Sequence, residues 1–143
     1  MKKEKSCGAV IYREEVDEDS MKRLFLIVKY VKGDNYWGLV KGHIENNETE
    51  HETAKREIYE EVGITEFEFI DDFKEVITYS PENNVMKDVV FFLAKTNQEK
   101  VTYHWKEHND HKWLSAKDSI NKLTYEKDKK IIRKANEFLE SKD

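Results

Sequence analysis

One stretch decides the fold, from Gly42 to Ile64, and it reads GHIENNETEHETAKREIYEEVGI. Within it Glu57, Glu60 and Glu61 stand at relative positions 0, +3 and +4, so a helix would carry their carboxylates on one narrow face. Like charges at this spacing destabilise an exposed helix by roughly 0.2–0.5 kcal/mol per pair. A hard divalent cation reverses that balance, because Mg²⁺ takes oxygen ligands and shares them with substrate phosphates. The other interpretation is an ordinary acidic helix face in solvent.

Capping residues set the limits of this helix. Thr49 followed three residues later by Glu52 is a capping-box pattern, and Gly63 stands where a left-handed residue ends a helix. The spacing predicts a helix over about 49–62. Apolar residues recur every four positions in a stripe roughly 100° around the helix from the glutamates, so one side packs and the neighbouring side faces a site. The stripe consists of Ala54, Ile58 and Val62.

The same stretch resembles the Nudix box, with every fixed position of that motif filled. The matching positions are Gly42, Glu48 and the run Arg56-Glu57-Ile58-Tyr59-Glu60-Glu61-Val62-Gly63-Ile64. The resemblance implies an α/β protein with the Nudix fold, an α/β/α sandwich around a central mixed β-sheet. It also implies hydrolysis of a nucleoside diphosphate linked to another group, with Mg²⁺ or Mn²⁺ bound by this helix.

The resemblance also implies roles for individual side chains. Glu57, Glu60 and Glu61 correspond to metal ligands, one of which can also act as the base. Arg56 and Glu48 correspond to a supporting ion pair and carboxylate, and we count Arg56 with the catalytic set. Mutual repulsion is expected to raise the pKa of at least one glutamate until metal binds, which suits a general base. The reaction needs charge neutralisation and in-line attack by water.

Length and composition restrict the class of protein. The 143 residues predict a single domain, 1–143, able to bury about two-thirds of its unfolded surface. The net charge of −5 disfavours a general nucleic-acid or membrane-surface binder, since those need a basic field. The resemblance implies a small-molecule nucleotide as the partner, and its phosphates must then be met by local cations and bound metal. Cys7 is the single cysteine, and the sequence shows neither a signal peptide nor an 18-residue apolar run, which predicts a cytoplasmic protein.

Strand-like runs surround the box. We predict strands over 6–12, 23–31, 73–79 and 85–94, with a solvated hairpin loop over 14–20 and a further β-like piece beginning at 101–103. The turn Ser80-Pro81-Glu82-Asn83-Asn84 predicts that the third and fourth strands form a hairpin. The run DVVFFLA is apolar without alternation, which is typical of a strand covered on both faces by helices.

The C-terminal part is predicted to be helical. Ser115 caps a short helix through about Leu123, and Thr124 caps a second. The second helix has an apolar face that packs on the sheet, formed by Ile131, Ile132, Ala135, Phe138 and Leu139. The lysines at positions 127, 129, 130 and 134 are expected mainly on its solvent side.

The loop before the box offers candidate phosphate contacts. Lys41 and His43 flank Gly42, and the resemblance implies that the backbone carbonyl of Lys41 is a further metal ligand. His43 is either a phosphate contact or an ordinary loop histidine. Val40 stands where the family commonly has proline, and Asn47 where it often has glycine. Neither departure removes a chemical group, and Asn accepts a left-handed conformation.

A second acidic loop lies near the C-terminus. The sequence EHNDH lacks the helical spacing of a zinc site and has no cysteine partner, so structural zinc is disfavoured. In the Nudix family a carboxylate before a Trp-Leu strand often completes the metal site or acts as the base. Glu107 is our choice for that role, Asp110 is the rival, and a solvated loop is the alternative. His108 and His111 are left unassigned.

Beyond the box, the chain resembles the asymmetrical diadenosine tetraphosphate hydrolases over about residues 6–139. The resemblance rests on the ordered segments CGAVIYR, FLIVKY, WGLVKGHIE, FKEVITY, KDVVFFLAK and KEHNDHKWL. That group hydrolyses dinucleoside polyphosphates, typically to ATP and AMP. Carried over by position, Lys41, His43 and Lys87 would contact phosphates, while Tyr79 and Tyr125 would offer rings on which adenine stacks. For each tyrosine the alternative is a half-buried amphipathic ring.

Other activities remain open at this point. An RNA 5′-pyrophosphohydrolase has a similar lead-in and box, and so does a nucleoside triphosphate or ADP-ribose pyrophosphatase. The acidic balance disfavours the RNA enzyme, which is expected to carry a basic strip. A non-catalytic nucleotide-binding regulatory module is disfavoured because such modules are expected to have lost part of the box. The metal count, the identity of the base and the oligomeric state are not determined by the sequence.

Overall fold

A mixed β-sheet runs through the centre of the molecule. The computed structural model describes residues 1–103 and 108–143. The strands in chain order are β1 Lys2–Val16, β2 Met21–Tyr30, β3 Tyr36–Gly38, β4 Val40–His43, β5 Phe67–Phe69, β6 Glu75–Tyr79, β7 Val85–Thr96 and β8 His108–Leu114. The helices are α1 Glu50–Val62, α2 Ala116–Lys122 and α3 Glu126–Glu140.

Strand β1 organises the sheet because its two halves have different partners. Along most of its length it pairs in parallel with β7, from Lys2 beside Val85 to Tyr12 beside Lys95. Its other edge pairs antiparallel with β4 in the first half and with β2 in the second. The β4 pairing sets Gly42 beside Cys7, so the start of the Nudix-like stretch is held at the middle of the sheet.

Helices cover both faces of this sheet, which confirms the predicted α/β/α sandwich. The apolar stripe of α1 is fully buried on one face. On the other face α3 buries Ile131, Ile132, Ala135 and Leu139. Side chains of β7 alternate between the two layers, with Phe91 and Leu93 packing beside α3 and Phe92 packing beside Ala54 of α1. The apolar run in β7 is therefore covered twice, as predicted. The helices of the described residues are all too short or too polar to cross a membrane.

Three local predictions were wrong. Strand β1 continues to Val16, so the loop before β2 is shorter than expected. Residues 101–103 form no strand; Thr102 donates its backbone N–H to Val62 O at the end of α1 instead. Thr124 does not cap α3, because its hydroxyl accepts a hydrogen bond from the Trp37 backbone at 2.9 Å, and Tyr125 is the residue before the helix.

Candidate active site

Helix α1 begins and ends as its sequence predicts. Thr49 Oγ1 accepts from the Glu52 backbone at 3.1 Å, and Glu52 Oε1 accepts from the Thr49 backbone at 2.8 Å, which completes the capping box. Gly63 ends the helix in a left-handed conformation with φ of 65°. The buried stripe fixes the rotation of the helix, so Glu57 and Glu61 turn inward at 8% and 4% exposure.

Arg56 joins the helix to the loop before it. Its Nε and Nη2 donate to the two carboxylate oxygens of Glu48 at 2.7 and 3.0 Å, and Nη2 also donates to His43 O at 2.9 Å. Its Nη1 donates to Glu57 Oε1 at 3.0 Å and to Glu60 Oε2 at 3.1 Å. One guanidinium therefore orients two of the three glutamates on the helix face.

Glu48 is the anchor for this arginine. Its Oε1 also accepts from the backbone of Glu45 and from the hydroxyl of Thr53. Arg56 and these further donors lower the pKa of Glu48 to about 2, so the carboxylate is ionised throughout the ordinary pH range. Asn47, the residue before Glu48, has φ of 71° and accepts the left-handed conformation that its position requires.

The carboxylate of Glu57 lies directly against the backbone of Gly42. A Cβ at position 42 would stand only 1.8 Å from Glu57 Oε2, so glycine alone leaves room for the carboxylate. Burial, followed by the charge of Glu61, raises the pKa of Glu57 to about 8. Burial also raises the pKa of Glu61. The expected rise in carboxylate pKa is thus present, with burial as a larger cause than repulsion.

Tyr30 supports Glu61 and was missed by the sequence analysis. Its hydroxyl lies 2.8 Å from Glu61 Oε1 and 2.7 Å from Leu39 O. His108 packs on the Tyr30 ring at 4.4 Å, and its Nε2 lies 3.4 Å from the same Glu61 oxygen. The only available signal was a tyrosine at the end of an apolar strand, which does not identify its partner.

Basic side chains border the acidic cleft. The cleft has a volume of ≈ 260 Å³. Its lining includes Lys41, Gly42, His43, Glu57, Glu60 and Glu61. A second depression of ≈ 260 Å³ shares those last three residues and adds Lys32 and Lys87. Burial and the charge of Lys41 lower the pKa of Lys87, and burial and Lys87 lower the pKa of His43. The structure therefore brings the three predicted phosphate contacts together beside the glutamates.

The two predicted stacking rings also share one neighbour. Lys127 Nζ lies 3.6 Å from the centre of the Tyr79 ring and 5.0 Å from the centre of the Tyr125 ring. Tyr36 packs on Tyr125 at 5.3 Å and stacks on Tyr30 at 4.9 Å, so rings connect this group to Glu61. The solvent-side prediction was wrong for Lys127, the second residue of α3, because its ammonium lies over these two rings.

The second acidic loop is described only in part. Glu107, the predicted carboxylate from outside the helix, lies outside the described residues. Asp110, its rival, is exposed, and its Oδ1 accepts from the His111 backbone at 2.7 Å. His111 Nδ1 lies 2.6 Å from the Tyr103 hydroxyl. Both assignments at this loop stay predictions.

The fold and the Nudix-like stretch both indicate one protein family, and a comparison with models of known families finds the same family. The NUDIX domain model matches residues 2–135, so the chain belongs to this family and is a Nudix hydrolase. Both the family and the fold inferred from the sequence are confirmed.

The chain is also similar to individual members of the family whose activities are named. The asymmetrical bis(5′-nucleosyl)-tetraphosphatase of Caenorhabditis elegans is 31% identical over 137 residues, covering 94% of this chain and 96% of the relative. A crystal structure of a C. elegans Ap4A hydrolase binary complex superposes with a TM-score of 0.86 at 30% identity, covering 96% and 98% of the two chains. The RNA pyrophosphohydrolase of a Nitratiruptor species is 28% identical and covers 71% of this chain and 72% of the relative.

Nudix hydrolases generally use divalent metal ions, and the donor set of α1 suits one. Buried carboxylates with raised pKa values hold protons that a cation can replace, and oxygen is the ligand atom that Mg²⁺ and Mn²⁺ prefer. Within the described ranges, no three His, Cys, Asp or Glu side chains are already arranged as ligands. In this structure Arg56 forms hydrogen bonds with one carboxylate oxygen of Glu57 and one of Glu60. Glu57, Glu60 and Glu61 are the residues that could hold the ion.

Proposed function

We propose that the chain hydrolyses diadenosine tetraphosphate to ATP and AMP by in-line attack of water, with Mg²⁺ or Mn²⁺. The observation that carries the proposal is the shared border of the acidic cleft and the basic depression at Lys41, Gly42 and His43. A polyphosphate lying across that border has one phosphoanhydride at the glutamates and further phosphates on lysines. The similarity to the tetraphosphatase of C. elegans supports this substrate.

The glutamates divide the work at the acidic end. Glu57 and Glu61 would hold the ion as direct ligands, and Glu60 would be a ligand or the base. When bound, the ion neutralises phosphate charge and lowers the pKa of water. Arg56 keeps Glu57 and Glu60 in position and is itself fixed by Glu48. The carbonyl of Lys41 and the side chain of Glu107 are proposed as further ligands, with Glu107 also a candidate base.

Cations and rings bind the rest of the substrate. The protein has a net charge of −5, so a highly charged anion requires local cations. Lys41, His43 and Lys87 supply them beside the cleft. Tyr79 and Tyr125 offer faces to an adenine, and stacking a base on an aromatic ring is worth about 1–3 kcal/mol. The base displaces the ammonium of Lys127 from these rings.

A substrate panel tests the proposal. Protein and Mg²⁺ are incubated separately with diadenosine tetraphosphate, ATP, ADP-ribose and 5′-triphosphorylated RNA, in ¹⁸O-labelled water, and products are identified by mass. We expect ATP and AMP from the first, with the label showing which phosphorus is attacked. Glu61→Gln, purified in the same way, controls for contaminating hydrolases and is expected to lose activity by orders of magnitude. Faster turnover of any other substrate would overturn the substrate assignment.

The RNA 5′-pyrophosphohydrolase is the second candidate. It is favoured by the RNA pyrophosphohydrolase relative and disfavoured by the lower coverage of that match and the acidic composition. A nucleoside triphosphate or ADP-ribose pyrophosphatase ranks below it. The single domain over residues 1–143 and the cytoplasmic location stay predictions.

A further inference from the structure

One buried carboxylate stands apart from the residues used so far. Asp128 is the third residue of α3 and is only 2% exposed. Its Oδ2 has no hydrogen-bond partner within residues 1–103 and 108–143. A buried polar atom without a partner lowers stability, so it is uncommon in folded proteins and points to an unrecognised ligand contact.

Asp128 lies at the end of the site that carries the tyrosine rings. The charge of Asp128 contributes to raising the pKa values of Tyr36 and Tyr79, after burial of each ring. Burial raises the pKa of the Asp128 carboxyl, and the charges of Lys41 and Lys127 oppose that rise. Asp128 follows Lys127 directly, and its backbone N–H donates to Tyr125 O at 3.1 Å. Its side chain is buried, so it points into the protein from the same turn of α3 as Lys127 and Tyr125. It therefore lies on the side of α3 that faces the site.

Lys127 lies over the same two rings. Its ammonium contacts Tyr79 and Tyr125, and burial together with Lys41 lowers its pKa. A partly desolvated ammonium on a flexible stem can move toward solvent or phosphate when a flat ligand enters. The ring faces of Tyr79 and Tyr125 that the ammonium covers are then open to the ligand, beside the turn of α3 that carries the unpaired carboxylate oxygen.

We propose that Asp128 recognises the edge of a base stacked on Tyr79 and Tyr125, with Oδ2 accepting an N–H from the exocyclic amine of adenine. This inference rests on the proposed function and names a specificity residue for the same site. A carboxylate oxygen accepts hydrogen bonds, and the adenine N6 amine donates them. Hypoxanthine carries a carbonyl oxygen at that position. Two hydrogen-bond acceptors, this oxygen and Asp128 Oδ2, would then face each other. A site built to bond a donor rejects an analogue that lacks it.

Replacing the amine by a carbonyl tests this directly. We measure kcat/KM for diadenosine tetraphosphate and diinosine tetraphosphate with the wild type and with Asp128→Asn. The wild type is expected to prefer adenine at least about 10-fold. Asp128→Asn is expected to lose that preference, because its amide donates to the hypoxanthine carbonyl. Glu126→Gln is the matched control, since it removes the same charge from the same first turn and is expected to keep the wild-type ratio.

Failure of the inference and failure of the proposed function give different results. A wild type that hydrolyses both substrates equally, or an Asp128→Asn variant that keeps the adenine preference, overturns the role of Asp128 while the hydrolase assignment stands. A wild type that hydrolyses neither substrate refutes the proposed function, and AMP against IMP binding by calorimetry then tests Asp128 alone. Asp128→Ser, whose hydroxyl both donates and accepts, is the second variant if the amide does not fold. Unchanged AMP selectivity in it would also refute the inference.

Discussion

The hydroxyl of Tyr30 lies between Glu61 Oε1, at 2.8 Å, and Leu39 O, at 2.7 Å. A hydroxyl has one hydrogen and can donate to only one of these acceptors at a time. A neutral Glu61 resolves the conflict, because its own proton can bond the tyrosine oxygen while the tyrosine donates to Leu39. The raised pKa of Glu61 agrees with this arrangement. Tyr30 therefore holds Glu61 in place in both protonation states.

Tyr30→Phe tests that support. Removing the hydroxyl leaves two buried acceptors with one partner fewer, so the free energy of unfolding should fall by about 1–2 kcal/mol. Loss of a group that orients Glu61, a proposed metal ligand, should reduce kcat/KM roughly 10-fold and raise the Mg²⁺ concentration needed for half activity. The measurements are urea unfolding and Mg²⁺ titration of the rate. Tyr12→Phe, a buried tyrosine beside Phe25 on another part of the sheet, should leave the Mg²⁺ requirement unchanged.

Arg56→Lys tests the joint between α1 and the loop before it. Lysine cannot reproduce the paired contacts to Glu48 or reach Glu57 and Glu60 together. We expect a loss of about 2–4 kcal/mol in stability and a weaker response to Mg²⁺. Arg133→Lys changes an exposed pair with Glu126 and should leave the unfolding temperature nearly unchanged. Equal effects of the two variants in thermal unfolding would show that Arg56 has no structural role in the site.

The helix that carries the glutamates was predictable because its signals are local. The cap at Thr49, the end at Gly63 and the positions of Glu57 and Glu61 all lie within one stretch, where helical geometry alone sets their spacing. The cover on both faces of β7 was also predictable, from its apolar run without alternation and from the apolar face of α3.

The rest of the site depends on contacts between distant parts of the chain. Tyr30 reaches Glu61 across a separation of 31 residues, and nothing in its own strand indicates that contact. Asp128 was not among the predicted site residues, because its burial follows only from how α3 packs against the sheet. Thr124 resembled a helix cap, but tertiary structure supplied the Trp37 backbone as its partner.

Glu57→Gln should change how stability depends on pH. The pKa of Glu57 is about 8 in the folded protein against an ordinary 4.5, so between those values the folded state holds a proton that the unfolded state has lost. Stability of the metal-free wild type therefore falls as pH rises through that window. Glutamine does not titrate, so the variant should be more stable than wild type by about 1–3 kcal/mol at pH 9 with chelator.

Glu48→Gln is the control for this prediction, and its effect on stability should have the opposite sign. The pKa of Glu48 is lowered to about 2, so its contribution to stability is present above 4.5 and is lost as pH falls toward 2. Glu48→Gln should therefore be less stable than wild type at pH 7, where Glu57→Gln gains. Thermal unfolding of both variants from pH 3 to 9 in chelator provides the measurement. A Glu57→Gln profile parallel to wild type would contradict the raised pKa.

Gly42→Ala should damage the site without removing any of its functional groups. The new Cβ would lie 1.8 Å from Glu57 Oε2 and 2.1 Å from its Cδ, while pairing with Cys7 holds the backbone of residue 42 in the sheet. The carboxylate must therefore move and give up its contact with Arg56. A displacement of about 1 Å at a reacting centre can reduce the rate about 100-fold, and we expect that loss in kcat/KM with a folded protein by circular dichroism. Adding Glu57→Asp to Gly42→Ala shortens the side chain that meets the new Cβ, so the double variant should be more stable than Gly42→Ala alone. If Gly42→Ala alone keeps its activity within threefold of wild type, Glu57 does not need its place against Gly42.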